Sequence, residues 1–280
     1  MTGVKGQLGY DCVRELKERG YKDVIGIDKD ELDITDKAAV DRYIDGIHPD
    51  VIMHNAAWTA VDKAEEYKYD VYRVNALGPK YLAVAARRNN AKMVYISTDY
   101  VFPGDGEKFY EVDDKIGPKG TYGLTKWQGE EFVREFCPSH FIVRISWVFG
   151  INGHNFIKTM LGLAQTHKEI SVVDDQIGSP TYTYDLSKLL CDMITTDKYG
   201  TYHATNEGVC SWADFAKKIF LMAHKDVKIN PVSTEEYLRL SPQQALRPLN
   251  SRMSKESLVE AGFNKLPKWE DALDRYLKTI

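Results

Sequence analysis

The sequence predicts an α/β protein with a doubly wound parallel sheet of the Rossmann type and a smaller C-terminal substrate domain. Strands alternate with helices through the first half of the chain, which implies a parallel sheet covered by helices on both faces. Gly3, Gly6 and Gly9 lie ahead of the first helical stripe, as in loops that bind a dinucleotide pyrophosphate. Tyr122 and Lys126 are four residues apart on a later helix, so they share one face.

Composition indicates an ordinary globular enzyme. The 280 residues are 43% hydrophobic and 28% charged, enough for one large or two closely joined domains. A net charge of −4, without a basic run, argues against nucleic-acid binding. Apolar runs stay well short of the roughly 20 residues of a membrane span. The cysteines at 12, 137, 191 and 210 are widely spaced, which predicts free thiols and a cytoplasmic location.

The first half can be assigned element by element. Helical periodicity from Leu8 ends at Gly20, and Thr35 or Asp36 begins a second helix. The helix that starts at Tyr122 stops before Pro138. The predicted strands are 24–27, 51–53, 93–96 and 141–145. The predicted helices are 8–20, 36–44, 70–88 and 122–136. Right-handed crossovers between such strands give the doubly wound arrangement.

The pattern changes after residue 150. Helices are predicted at 155–166, 184–195, 212–223 and 269–278, with a short strand at 170–173. Prolines are frequent in this part, which is typical of a loop-rich substrate domain above the carboxyl edge of the sheet. The predicted domains are therefore 1–150 for the dinucleotide and 151–280 mainly for the substrate, with about 183–204 returning to the first domain.

The first strand of the Rossmann fold is predicted to be missing. Such a fold begins with a central strand that leads into the glycine loop. Here the loop starts at residue 2, so about five or six apolar residues are absent. Neighbouring strands would then lose their backbone partners, and we expect low stability of the chain as given.

The Tyr122 and Lys126 pair is a candidate acid catalyst. An ammonium group beside a phenol lowers the phenol pKa, which would make the tyrosine a proton donor usable near neutral pH. Thr98 follows the strand at 93–96, at the carboxyl edge where open α/β sheets place their chemistry. A surface pair is the alternative interpretation. The glycine loop in the correct order favours the catalytic one.

Several segments together resemble a known family, the dTDP-4-dehydrorhamnose reductases of the extended short-chain dehydrogenase/reductase group. The matching segments are 2–9, 31–36, 55–65, 74–79, 97–102, 122–126, 146–150, 155–160, 173–182 and 247–248. The runs Thr-Ala-Val-Asp-Lys-Ala-Glu at 59–65 and Asp-Asp-Gln-Ile-Gly-Ser-Pro-Thr at 174–181 are the most specific. The resemblance covers nearly the whole chain.

The resemblance implies reduction of the C4 ketone of dTDP-4-dehydro-L-rhamnose to dTDP-L-rhamnose, the last step of dTDP-rhamnose biosynthesis, by NADPH or NADH. Tyr122 would protonate the carbonyl oxygen and Thr98 would polarise it. Lys126 would hold the nicotinamide ribose and lower the tyrosine pKa. The substrate partner would be a dTDP-sugar, and the protein would be a monomer or homodimer.

The expected cofactor contacts lie in the glycine loop, at three strand ends and on two helices. They are Gly3, Gly6, Gln7, Leu8, Asp28, Asp33, Ile34, Ala56, Ala57, Asn75, Tyr122 and Lys126. Asp28 could bond a ribose 2′-hydroxyl and favour NADH, whereas Lys29 could meet a 2′-phosphate. Both could instead be solvated turn residues. The two alanines would allow close approach of the cofactor or simply pack against a helix.

The expected substrate contacts come from the second half of the chain together with Thr98. They are Trp147, Asn155, Lys158, Gln176, Thr181 and Arg247. Planar Arg247 suits bidentate contact with a pyrophosphate. A buried core role for the tryptophan and a surface role for each charge remain alternatives.

Three other functions are alternatives to the reductase: a dehydratase, a 4-epimerase and a non-catalytic subunit. Related dehydratases carry an acidic pair after the threonine, but here Tyr100 follows Asp99. A 4-epimerase shares the Tyr/Lys pair and differs in recycling its cofactor. A non-catalytic subunit, like the regulatory subunit of methionine adenosyltransferase, would not need Thr98, Tyr122 and Lys126.

The resemblance also implies, for some family members, a magnesium ion held by glutamates between two subunits. The matching positions here carry Asp11 and Asp185, with no third acid evident near Thr279. Shorter carboxylates and a missing ligand argue against that site. No metal is therefore predicted.

Overall fold

The computed structural model describes residues 1–240 and 243–280. Its strands are β1 (Val51–His54), β2 (Lys92–Thr98), β3 (His140–Ile145), β4 (Val148–Phe149), β5 (Glu169–Val173), β6 (Ile177–Gly178), β7 (Thr181–Tyr182), β8 (Gly200–His203), β9 (Asn206–Glu207), β10 (Cys210–Ser211), β11 (Lys228–Val232) and β12 (Leu266–Lys268). Its helices are α1 (Gln7–Glu18), α2 (Lys37–Ile47), α3 (Val61–Ala64), α4 (Lys68–Tyr72), α5 (Gly78–Arg88), α6 (Thr121–Phe136), α7 (Phe156–Leu163), α8 (Thr183–Met193), α9 (Trp212–Met222), α10 (Thr234–Leu240), α11 (Glu256–Glu260) and α12 (Trp269–Leu277).

A parallel sheet with the order β1-β2-β3-β8 lies at the centre of the molecule. Alternate residues of each strand enter different apolar clusters. Met93 and Tyr95 pack on the side of α2 and α5, whereas Val94 packs on the side of α1 and α8. Both faces of the sheet are thus covered by helices, as parallel pairing requires. The doubly wound α/β class is confirmed.

Local interactions account for the start of one predicted helix and for an interruption in another. Asp36 caps α2, because its carboxylate accepts a hydrogen bond from the Ala39 N–H at 3.0 Å. The helix predicted at 70–88 runs from α4 into α5 through a π-helical turn, Arg73–Leu77. Such turns interrupt the regular hydrogen-bond ladder and are frequent at functional sites.

The central strand position is filled by only Met1 and Thr2. Thr2 bridges Ile27 on one side and His54 on the other, both in parallel. Its N–H donates to the Met53 carbonyl at 3.0 Å, and the Ile27 N–H donates to the Met1 carbonyl at 2.9 Å. The prediction of a full strand at 24–27 is wrong, because the segment forms only an isolated bridge, between Ile27 and Thr2, although the Ile25 carbonyl also accepts from the Met1 ammonium group.

The part beyond residue 150 divides between the sheet and a second core. Helix α8 packs on α1, and β8 extends the main sheet beside β3. Helices α7, α9 and α12 enclose a separate apolar cluster that includes Phe149. None of the helices within the described ranges is both long and apolar enough to cross a bilayer.

Candidate active site

The glycine loop is built for close approach to an anion. Gly3 has φ of +68°, and a Cβ there would lie 2.7 Å from the Ala56 backbone nitrogen. Gly6 forms the N-cap of α1, whose free N–H groups and positive dipole end face the loop. The Asn55 amide is buried, and neither its oxygen nor its nitrogen finds a partner in the described parts of the chain. These features fit a bound dinucleotide.

Gln7 and Leu8, which follow Gly6 at the start of α1, have different side-chain contacts. The side-chain oxygen of Gln7 accepts a hydrogen bond from the Asn155 amide at 3.1 Å. The Leu8 side chain is buried in the core between α1 and α8. Any contact of Leu8 with a cofactor is therefore limited to its backbone.

Asp28 stands at the predicted ribose position and already supports the loop. Its carboxylate accepts the Lys5 N–H at 3.1 Å and the Lys29 N–H at 2.9 Å. Asp33 instead accepts both the backbone and the hydroxyl of Thr35, which lowers the pKa of its carboxyl. Ile34 is buried in the apolar cluster beside α5.

Asn75 holds the segment after β1 rather than pointing into a cleft. It lies in the π-helical turn and is buried. Its oxygen accepts the Trp58 N–H at 2.8 Å, and its nitrogen donates to the Trp58 carbonyl at 3.1 Å. The chain around Ala56 and Ala57 is fixed beside the glycine loop in this way.

Thr98, Tyr122 and Lys126 come together at the carboxyl edge of the sheet. Thr98 ends β2, and the other two lie one turn apart at the start of α6. The Thr98 hydroxyl lies close enough to Tyr122 to act on the pKa of its phenol. Lys126 is buried, with its Nζ 4.0 Å from the centre of the Tyr95 ring.

The protonation of this pair differs from the sequence-based prediction. Burial raises the pKa of Tyr122 to about 12, although the nearby Thr98 hydroxyl opposes the rise. Burial lowers the pKa of Lys126 to about 7, opposed by Glu130. The expected lowering of the tyrosine pKa by Lys126 is therefore wrong for the chain alone, because desolvation outweighs an ammonium group that is itself poorly solvated.

A buried carboxylate supports Thr98 from behind. Asp99 accepts hydrogen bonds from the Thr98 hydroxyl, at 3.0 Å, and from the Ser251 hydroxyl. Burial raises the pKa of Asp99 to about 6, while these hydrogen bonds oppose the rise. Because Ser251 belongs to the C-terminal part, this network ties both halves of the chain to one reacting position.

A cleft next to these residues brings together three of the predicted substrate contacts, Trp147, Gln176 and Arg247. Tyr100 connects the cleft to the catalytic residues, since its ring packs edge-on against Tyr122 with centres 5.4 Å apart. The lining residues that sequence reasoning missed are Tyr100, Phe156, Met160, Ser171, Val172, Val173, Trp212, Thr234, Tyr237, Leu238, Gln244, Ala245, Pro248 and Ser251.

Trp147 is held in an unusual conformation. Its φ is +49°, in the left-handed region that bulky residues rarely occupy. Its ring stacks on Trp212 with centres 3.8 Å apart, and a Cβ at Gly178 would collide with it. Backbone strain of this kind clusters at ligand sites.

The remaining predicted substrate residues do not line the cleft. Asn155 caps α7 by accepting the Lys158 N–H at 3.0 Å. Lys158 donates from its ammonium to the carbonyls of Ile151 and Gly153. Thr181 is buried, and its hydroxyl donates to the Ser146 carbonyl at 2.6 Å.

The acids that match the family's magnesium position have other partners here. Asp185 forms a two-point pair with Arg275, with both N–O distances 2.7 Å. Asp11 accepts a hydrogen bond from Thr183. These residues do not fit a hard divalent cation, which needs several free oxygen ligands.

Comparison with known proteins shows which family this chain belongs to. The model of the RmlD substrate binding domain family matches residues 1–280. The chain belongs to the RmlD family.

Relatives of the RmlD family chain align along nearly its whole length. The spore coat polysaccharide biosynthesis protein SpsK of Bacillus subtilis is 41% identical over 99% of this chain and 96% of its own. A dTDP-4-dehydrorhamnose reductase of Aggregatibacter actinomycetemcomitans is 40% identical over 98% and 96%. A structure of the dTDP-4-dehydrorhamnose reductase of Bacillus anthracis in complex with NADP is 45% identical, covers 100% and 98%, and has a TM-score of 0.95.

The missed residues of this RmlD family site carried only weak signals. The Trp212 and Phe156 side chains lie at the first turns of α9 and α7, where the sequence shows ordinary amphipathic helices. Their convergence on Trp147 depends on how three distant segments pack. A sequence pattern cannot encode that distance.

Proposed function

We propose that the protein is a reductase that converts the C4 ketone of dTDP-4-dehydro-L-rhamnose to the alcohol of dTDP-L-rhamnose. NADPH or NADH is the reductant. Membership of the RmlD family and the names of its relatives support this reaction.

One observation carries the proposal. Tyr122 packs against Tyr100, which lines the aromatic cleft. On the other side, Lys126 lies over the Tyr95 ring, which stacks on His54 next to the Asn55–Ala56 backbone that Gly3 approaches. A cofactor on the loop and a sugar nucleotide in the cleft would therefore meet at the tyrosine hydroxyl. Such placement of both reactants is what a two-substrate reduction requires.

Tyr122 acts as the general acid in this reaction. The nicotinamide supplies a hydride to the carbonyl carbon when it is bound. A pKa near 12 keeps the phenol protonated at neutral pH, so it can donate its proton to the oxygen that gains negative charge. Thr98 would stabilise the same oxygen by turning toward it the O–H that it donates to Asp99 in the free protein.

Different parts of the cleft would bind different parts of the sugar nucleotide. Arg247 would pair with the pyrophosphate, since its guanidinium can make two parallel hydrogen bonds to phosphate oxygens. Trp147 and Gln176 would contact the sugar next to Tyr100. The apolar end near Phe156 and Met160 would accept the base.

A direct assay tests the function. Purified protein is mixed with dTDP-4-dehydro-L-rhamnose and either NADPH or NADH, and loss of the reduced cofactor is followed by absorbance. We expect one reduced cofactor consumed per dTDP-L-rhamnose formed. Turnover of the sugar without net cofactor consumption would identify an epimerase, and no turnover with a folded protein would overturn the proposal.

The surroundings of the enzyme follow from the same chemistry. The four cysteines, at 12, 137, 191 and 210, are free and buried, which suits a reducing cytoplasm where NADPH is also supplied. The dTDP-sugar is its partner molecule. Either a monomer or a homodimer could carry the reaction, because all the residues of the proposed site come from one chain.

A further inference from the structure

A short segment between the two halves of the site has no part in the chemistry described so far. It consists of α3 and the following Glu65, and it lies in the Thr-Ala-Val-Asp-Lys-Ala-Glu run at 59–65. Ala64 is fully buried beneath it, so the segment is anchored on the protein. Its two neighbours are the helix that carries Tyr122 and the loop that carries Arg247.

Glu65 caps the catalytic helix from outside. Helix α6 begins at Thr121, and its own N-cap residue, Gly120, has no side chain to accept a hydrogen bond. The Glu65 carboxylate accepts the Thr121 N–H at 2.6 Å and the Thr121 hydroxyl at 2.9 Å. A negative charge at this end also interacts favourably with the helix dipole. Tyr122 is the residue after Thr121. This pair of hydrogen bonds from Thr121 to Glu65, here called the Glu65 clamp, therefore fixes the position from which the Tyr122 side chain extends.

Asp62 holds the substrate loop from the same segment. Its carboxylate accepts the Ala245 N–H at 2.9 Å and pairs with the Arg247 guanidinium at 3.1 Å. Arg247 also donates to the Ala245 carbonyl at 3.1 Å, which folds the loop around the guanidinium. The guanidinium is thereby held at the cleft that Arg247 helps to line.

We propose that Asp62 and Glu65 are positioning residues that keep the phosphate-binding arginine and the catalytic tyrosine in register. The segment links both reactive side chains through one rigid turn of helix. This inference rests on the proposed reduction. It assigns Glu65 to the placement of Tyr122 and Asp62 to the placement of Arg247.

The two residues affect different kinetic constants. Loss of the Glu65 clamp frees the first turn of α6 and misplaces the proton donor, so kcat falls. Loss of the Asp62 pair frees Arg247 and weakens the hold on the sugar nucleotide, so its KM rises. Binding of NADPH changes little in either case, because neither residue touches the glycine loop.

Glu65 is tested with Glu65→Ala and Glu65→Gln, and Glu66→Ala is the matched control. Glu66 is the adjacent exposed acid. We expect kcat to fall roughly tenfold in Glu65→Ala, as small misplacements near the chemistry do. Glu65→Gln keeps an acceptor for the Thr121 N–H and should recover most of that loss, while Glu66→Ala stays within about twofold of wild type. Equal effects of Glu65→Ala and Glu66→Ala would overturn the role of Glu65.

Asp62 is tested by a double-mutant cycle with Arg247. Asp62→Asn should raise the KM for the sugar nucleotide about fivefold and leave kcat and the melting temperature nearly unchanged. In an Arg247→Met background the same change should add nothing, since the guanidinium is gone and the asparagine oxygen can still accept the Ala245 N–H. Independent, multiplicative effects of the two substitutions would contradict the proposed pairing.

Hydrogen exchange separates this inference from the proposed function. Binding of dTDP should slow exchange at the first turn of α6 in wild type, and should do so less in Asp62→Asn and Glu65→Ala. This readout needs no turnover. Wild-type protection without any reductase activity would refute the reaction and keep the coupling, whereas identical protection in all three proteins would refute the coupling.

Discussion

Burial governs protonation at the scale of single residues. The ammonium group of Lys126 lies over the ring of Tyr95, and burial lowers the pKa of Lys126 to about 7. Tyr122 responds in the opposite direction, because its charged form is the phenolate. The sequence showed the two residues on one helical face. It did not show how little solvent reaches them.

Removing the tyrosine hydroxyl tests its role as an acid. Tyr122→Phe keeps the ring that packs on Tyr100 and removes only the proton donor. We expect kcat to fall by about two to four orders of magnitude, with the NADPH dissociation constant nearly unchanged. Steady-state rates and a fluorescence titration with NADPH provide the comparison. Near-normal turnover would remove Tyr122 from the mechanism.

The buried ammonium group of Lys126 should lower the free energy of unfolding by an amount that depends on pH. Its pKa falls from 10.5 in the unfolded chain to about 7 in the folded one. The unfolded chain therefore binds more protons between these values, so stability rises with pH across this window. Below about 7 both states are charged and the cost is complete.

Substitution of Lys126 by a neutral side chain of similar length should remove that cost. Lys126→Met should melt at a higher temperature than wild type at pH 6.5, and the difference should shrink by pH 9.5. Catalysis should be lost in the variant at both values. Thermal melts of the cofactor-free proteins measure the effect, and a difference independent of pH would show that the ammonium group stays solvated.

At the scale of elements, several contacts hold the glycine loop, which is the predicted cofactor site. Gly3 admits the backbone next to Ala56, α1 presents its N-terminus, and Asp28 fixes the loop through the Lys5 N–H. The sequence identified the loop from glycine spacing alone. The second function of Asp28, in holding that loop, emerged only from the structure, because Lys5 and Asp28 are 23 residues apart.

This double role refines the test of cofactor choice. Asp28→Asn keeps an oxygen for the Lys5 N–H and removes the charge that would repel a 2′-phosphate. We expect the KM ratio of NADH to NADPH to increase several-fold relative to wild type. Asp28→Ala should weaken both cofactors, because it also releases the loop. Equal changes in both KM values for Asp28→Asn would exclude Asp28 as the ribose reader.

At the scale of the whole molecule, the N-terminal residues join the segment around Ile27 to the main sheet. Thr2 bridges Ile27 on one side and His54 of β1 on the other, both in parallel. The Met1 ammonium group donates to the Ile25 carbonyl at 2.7 Å, and the Ile27 N–H donates to the Met1 carbonyl at 2.9 Å.

The sequence by itself determined the α/β alternation and the family, and it predicted the glycine loop and the group of Thr98, Tyr122 and Lys126. These features depend on local spacing: a 3.6-residue period for helices, a buried run for each strand, and glycines where side chains cannot fit. The helices around Tyr122 and Ser211 were predicted nearly to the residue for the same reason.

Only the tertiary structure decided which residues meet. It placed Trp147 against Trp212, gave Arg247 to Asp62, and turned Lys158 toward backbone carbonyls rather than the cleft. It also set the protonation of the catalytic pair, because desolvation depends on every side chain packed around a group. Contacts between distant segments and the exclusion of water are properties of the packed chain, and no short stretch of sequence contains them.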